Sequence, residues 1–149
     1  MNIIRVQTED FDIGAECDAL VRDSIDVGAI ASFTGRVRGD DNLTALTIEH
    51  YPGMTEREIA RHIADAETRW PLLGVTIIHR VGRLFPGDRI VLVTVASAHR
   101  AAAFAAAEFL MDYLKTRAPF WKQEDHGSNT NWVETRVSDA DALLRWQEP

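Results

Sequence analysis

The chain has 149 residues, 46% of them hydrophobic, and a formal net charge of −7, which suits one domain with a full core. The acidic balance argues against nonspecific binding to nucleic acid or to an anionic membrane, and no apolar run approaches the roughly 20 residues that span a bilayer. A single cysteine, Cys17, offers neither an intramolecular disulfide nor a cysteine metal cluster.

The first residues lack a basic-then-apolar export pattern, so a cytoplasmic location is expected. Residues 3–6 read as a short strand. Ile13, Cys17, Leu20 and Val21 then recur at helical spacing, predicting a helix that ends near Asp23 with Cys17 as a buried structural thiol. Residues 28–38 are rich in small and β-type side chains and predict a long strand with an irregularity at Gly35. A turn at 39–42 and the alternation of Leu46, Ile48 and His50 predict a return strand over 43–51, and so a hairpin.

Ile59, Ile63, Ala66 and Trp70 form one stripe of a helix predicted over 55–70. Strands are expected at 75–81 and 89–98, separated by the Phe85-Pro86-Gly87-Asp88 turn. The second is apolar on both faces and reads as central. An alanine-rich helix over 100–118 follows, then short strands near 120–123 and 132–136. Ser138, with Asp141 three residues on, resembles the N-cap of a last helix running through Trp146. With hairpins, no repeat and no regular βαβ alternation, the prediction is one α+β domain over residues 1–149.

The chemistry-bearing segment is Lys115-Thr116-Arg117-Ala118-Pro119-Phe120-Trp121-Lys122. Pro119 ends the helix and biases Ala118 toward extended backbone. If the chain then doubles back as a strand, two ammonium groups converge on one pocket. Neighbouring positive charge and burial would favour a neutral amine, able to act as nucleophile or base. Glu108, Asp112 and Lys115 form the helix's main polar stripe, which on its own reads as a solvated face. Ser97-Ala98-His99-Arg100 sits at a strand-to-helix junction, where backbone N–H groups, His99 and Arg100 could bind an anion. Arg36 and Arg38 share a strand face where either could hold a phosphate bidentately, and for Arg36 the exposed edge of a hairpin is preferred. His50, His62, His79 and His126 show no ligand spacing and read as structural or surface residues, so no metal is expected. No P-loop, dinucleotide or hydrolase-serine motif occurs. From the residues alone this is a cationic pocket for an anionic small molecule. It is compatible with a noncatalytic binding module or with an amine-dependent enzyme forming a Schiff base on Lys115.

Phe33-Thr34-Gly35-Arg36-Val37-Arg38, Glu49-His50-Tyr51-Pro52-Gly53-Met54, His79-Arg80-Val81-Gly82, Ser97-Ala98-His99-Arg100 and the two-lysine segment together resemble the molybdopterin synthase large-subunit family, in order and over nearly the whole chain. The resemblance implies an α/β-hammerhead-type domain with a mixed, mainly antiparallel sheet and flanking helices. It implies a sulfurtransferase of molybdenum cofactor biosynthesis with no cofactor of its own. This would be a homodimer inside a heterotetramer with a small ubiquitin-like sulfur carrier, whose C-terminal Gly-Gly thiocarboxylate supplies sulfur to a cyclic pyranopterin monophosphate. By position, Lys115 and Lys122 match the catalytic lysines. Arg38, His99 and Arg100 match substrate-anion contacts, Arg136 an arginine from the neighbouring subunit, and Phe33 and Met111 pocket walls. The short 39–42 turn and Gln123, where a basic residue is common, depart from the family pattern.

Overall fold

Apolar alternation and runs of small residues organise the chain into two sheets of four strands with helices packed on them. The computed structural model describes residues 1–127, 129–133 and 137–147. In chain order the elements are β1 (Asn2–Gln7), α1 (Ile13–Val21), β2 (Ala29–Arg36), β3 (Ala45–His50), α2 (Met54–Arg69), β4 (Leu72–Arg80), β5 (Gly82–Leu84), β6 (Arg89–Ser97), α3 (Arg100–Thr116), β7 (Phe120–Asp125), β8 (Thr130–Trp132) and α4 (Val137–Leu144).

The first sheet runs β1-β4-β6-β2. Only its β1–β4 pairing is parallel; β4–β6 and β2–β6 are antiparallel, with Ile77 and Phe33 both opposite Val93. As the two-sided apolar pattern predicts, β6 is central. Val91, Val93 and Val95 pack with Ile59, Ile63, Ala103, Ala106 and Leu110 under α2 and α3, while Leu92 joins Phe11, Ile78 and Ile13 on the opposite face. Cys17 is half-buried, its sulfur 3.6 Å from Thr94 Oγ1. Four buried alanines at 102, 103, 106 and 107 let α3 lie close to its neighbours.

The second sheet runs β5-β3-β7-β8 and is antiparallel throughout. This corrects the predicted hairpin: β2 and β3 belong to different sheets. The crossing starts at a bulge between Gly35 and Arg36, where a Cβ on Gly35 would come within 2.9 Å of Val91. Beyond it, Val37 exchanges backbone hydrogen bonds of 2.8 Å with Asp88 and Gly87 and enters the second core with Leu46, Ile48 and Leu84. Arg36 completes the corner by donating to the Gly87 carbonyl at 3.1 and 3.2 Å. Arg36 is exposed, as expected, but at this corner between the sheets and not on a hairpin edge. Ile90 and Phe120 pack against both cores, which makes the seam between the sheets a continuous apolar floor.

Three smaller differences concern the ends of elements. β5 was not foreseen, since three residues carry no readable period. The last strand is described only as Thr130–Trp132, and the rest of the expected 132–136 stretch beyond Val133 lies outside the described residues. α4 already contains Val137, so Ser138 is its second residue and not its N-cap. No described helix is long and apolar enough to cross a membrane.

Candidate active site

Pro119 does what its chemistry demands. α3 stops at Thr116, and the N–H groups of Arg117 and Ala118 both reach back to the Tyr113 carbonyl, at 2.8 and 3.2 Å. Thr55, fully buried, fixes the bend: its hydroxyl accepts from the Tyr51 N–H at 2.9 Å and donates to the Pro119 carbonyl at 3.0 Å. β7 then runs antiparallel to β3, with Lys122 opposite Ile48. This folding-back brings Lys115 and Lys122 to one cavity of about 500 Å³, whose wall also includes Phe33 and Arg38. A recess of about 60 Å³ shares Phe33, Lys115 and Lys122 with it and adds Met111 and His79. Five of the residues expected at the site therefore meet there: Lys115, Lys122, Arg38, Phe33 and Met111.

Lys115 is exposed at the rim, and Lys122 is half-buried. Arg38 sits at the solvent side, 70% exposed, and pairs with Asp40 of the following turn at 3.0 Å. Opposite, Glu124 on β7 also lines the cavity. His126 ties these two edges together, with Nδ1 2.8 Å from the Asp41 carbonyl and Nε2 3.2 Å from Glu124 Oε1. Both partners can only accept when Glu124 is ionised, so the two contacts favour the imidazolium form of the ring. The Asp41 carbonyl, then the Glu124 carboxylate, raise its pKa.

His99 and Arg100 are exposed at the other end of α3. Fifteen helical residues separate Arg100 from Lys115, about 22 Å at 1.5 Å per residue. They do not line the pocket of their own chain. Arg136 lies outside the described residues. The polar stripe on α3 is a solvated face only in part: Glu108 and Lys115 are exposed, but Asp112 is half-buried. Asp112 accepts from Arg145 at 2.9 Å and from the Trp146 indole N–H at 2.5 Å, and Arg145 also pairs with Glu108. The stripe is the seat of the segment after α4, and only its last residue, Lys115, turns to the cavity.

Sequence reasoning missed Thr55, Glu124 and His79. His79 is 3% exposed, stacks on Phe120 with ring centroids 3.9 Å apart, and has Nδ1 2.9 Å from the Arg80 carbonyl. Burial pushes its pKa down to about 3, with Lys122 and, less strongly, Lys115 adding to the push against a hydrogen bond to Arg80 that raises it. A neutral imidazole therefore stands beside two lysines. Strand parity was the available signal, because 79 shares a face with the buried Val75 and Ile77.

Fold and site together define an α+β domain whose paired lysines and arginine-bearing mouth suit an anionic small molecule. A family model described as MoaE protein matches residues 6–117. Over 147 residues the chain is 55% identical to the molybdopterin synthase catalytic subunit of Mesorhizobium japonicum, covering 97% of this chain and 92% of that one. The solved molybdopterin biosynthesis MoaE protein from Burkholderia ambifaria matches with a TM-score of 0.86 and 49% identity over 100% of both chains. A complex of subunits 1 and 2 of the molybdopterin-converting factor from Helicobacter pylori shares the fold at a TM-score of 0.75 and 19% identity, over 89% of this chain and 91% of that one. The chain belongs to the MoaE protein family.

Proposed function

We propose that this chain is the catalytic subunit of a molybdopterin synthase, a sulfurtransferase that converts cyclic pyranopterin monophosphate to molybdopterin by two sulfur transfers. The observation that carries the reading is the convergence of Lys115 and Lys122 on one cavity with Arg38 at its mouth. Sulfur comes from the C-terminal Gly-Gly thiocarboxylate of a small ubiquitin-like partner, which enters as an extended tail. The Helicobacter pylori neighbour, a complex of subunits 1 and 2 of the molybdopterin-converting factor, is in keeping with a second subunit. Both reactants are anions, and the cavity meets them with cations. Lys115, the last residue of the α3 stripe, takes part directly in the transfer intermediates. Lys122, held on β7, orients the thiocarboxylate and stabilises developing negative charge. Phe33 and Met111 wall the pterin.

His99 and Arg100 lie too far from Lys115 to reach the same substrate from one chain. In this reading the protein is a homodimer inside a heterotetramer, and these two residues of each copy, together with Arg136, serve the pocket of the other. The chain works in the cytoplasm. The test is a reaction reconstituted with thiocarboxylated partner and the cyclic pterin, read by the mass of the pterin product. Addition of two sulfurs is expected. A carbonyl compound trapped on Lys115 by borohydride, with no sulfur added to pterin, would replace this reading with Schiff-base chemistry.

A further inference from the structure

Among the described buried side chains that face the cavity, one is polar and absent from the mechanism above. β4 alternates strictly toward the α2–α3 side, with Val75 and Ile77 fully buried and His79 next in line. An imidazole in that row gives up hydration that a leucine would not need, which is costly unless its nitrogens are matched. One nitrogen is matched. The Arg80 carbonyl 2.9 Å from Nδ1 can only accept, so Nδ1 carries the proton. In the neutral ring this leaves Nε2 with a lone pair and no proton, and fixes the tautomer.

The ring lines the recess that Lys115 and Lys122 share. Phe120 stacks on it, and Phe120 and Lys122, two residues apart on β7, present their side chains to the same face of that strand. Lys122 is also the larger of the two lysine influences on His79. We propose that His79 is a positioning residue for sulfur transfer: its bare Nε2 accepts a hydrogen bond from the Lys122 Nζ–H at the floor of the site, and so aims that lysine at the reacting anion. This rests on the sulfurtransferase reading given above.

The choice of residue follows from charge. A carboxylate at this position would form an ion pair and cancel the field that draws in two anionic reactants. A protonated histidine would have nothing to accept with and would repel both lysines. A neutral acceptor aims an ammonium group and leaves its charge intact. No proton moves to His79 in this role, since the ring stays neutral through the working pH range.

Two substitutions separate the ring's two nitrogens. The amide N–H of His79→Asn can still donate to the Arg80 carbonyl but offers nothing at the Nε2 position, whereas His79→Gln returns an acceptor there. For the Asn variant, kcat in the reconstituted reaction should fall about 10- to 100-fold with KM for the pterin near wild type, and Gln should recover most of the loss. A folded Asn variant with wild-type kcat would overturn the proposal, as would equal losses for Asn and Gln that track their melting temperatures. The wild-type protein gives a reading independent of variants and of turnover. Nitrogen NMR of labelled histidine should show Nδ1 protonated and Nε2 bare between pH 5 and 8, with the Nε2 resonance displaced in Lys122→Met. A proton on Nε2, or no displacement, would also overturn the role. Absence of sulfur transfer by the wild type would overturn the enzyme reading and leave the NMR result standing.

Discussion

The two ends of α3 carry similar chemistry and have different fates. At the N-terminal end, His99 and Arg100 are exposed, and the His99 side chain makes no capping hydrogen bond. At the C-terminal end, Pro119 turns the chain, Thr55 clamps the turn, and Lys115 meets Lys122 over a shared cavity. Both ends show cations at an element boundary, a pattern that often marks an anion site. Only the second is completed by its own chain. A cationic motif becomes a pocket where the backbone returns, and the return here is set by one proline and one buried threonine.

Several measurements would break or sharpen that contrast. The largest effect is expected at the lysine end, where Lys115→Ala or Lys122→Ala should each lower turnover by about 100-fold or more without loss of fold or of the partner complex. Turnover near wild type in either variant would remove that lysine from the mechanism. Arg100→Ala should cost about 10- to 100-fold, the range for losing a hydrogen bond to a charged group, and should raise KM for the pterin phosphate more than it lowers kcat. An unchanged KM would mean that the N-terminal end serves no substrate.

Stability should respond at the middle of the helix. Asp112 holds both Arg145 and the Trp146 indole, so Asp112→Ala should lower unfolding free energy by about 1–3 kcal/mol in a urea titration. A variant as stable as wild type would show that the C-terminal segment is not held by that carboxylate.

The pH dependence has two signs. Burial holds His79 at about 3 and His62 at about 4 in the folded protein, against 6.5 for an exposed imidazole. Between those values the unfolded chain binds protons that the folded one refuses, so stability falls as pH drops below about 6.5. A urea midpoint unchanged from pH 7 to 5 would contradict the buried, neutral state of both rings. His126 acts in the opposite sense. Its raised pKa contributes stability that is present below its unfolded value and is lost as pH rises through the folded one. That ring is on the surface, so the effect should be the smallest of the set.

Much of this was readable before any coordinates. The helices and central strand follow from side-chain periodicity, a local property. The lysine pair followed from what proline forbids. What escaped reading depends on partners distant in sequence. β3 alternates cleanly, but alternation does not say which strand lies beside it, and the bulge at Gly35 sent β2 to another sheet. Glu108 and Asp112 look the same whether they face water or an arginine more than thirty residues later. His79 looked like any lone histidine until strand parity and the Phe120 stack placed it against the lysines. The separation of His99 and Arg100 from Lys115 is plain helix arithmetic, and it keeps both residues out of the cavity of their own chain.

The most direct measurement is therefore complementation between two impaired variants, assayed at a pterin concentration below the wild-type KM. Lys115→Ala and Arg100→Ala chains, mixed so that dimers exchange subunits, place an intact lysine and an intact arginine together only across the interface. If the two ends of α3 serve different pockets, sulfur transfer to the pterin rises on mixing well above the sum of the two variants assayed apart. If mixing restores nothing while mixed dimers are shown to form, the lysine and arginine act within one chain, and the contrast between the two ends of the helix is wrong.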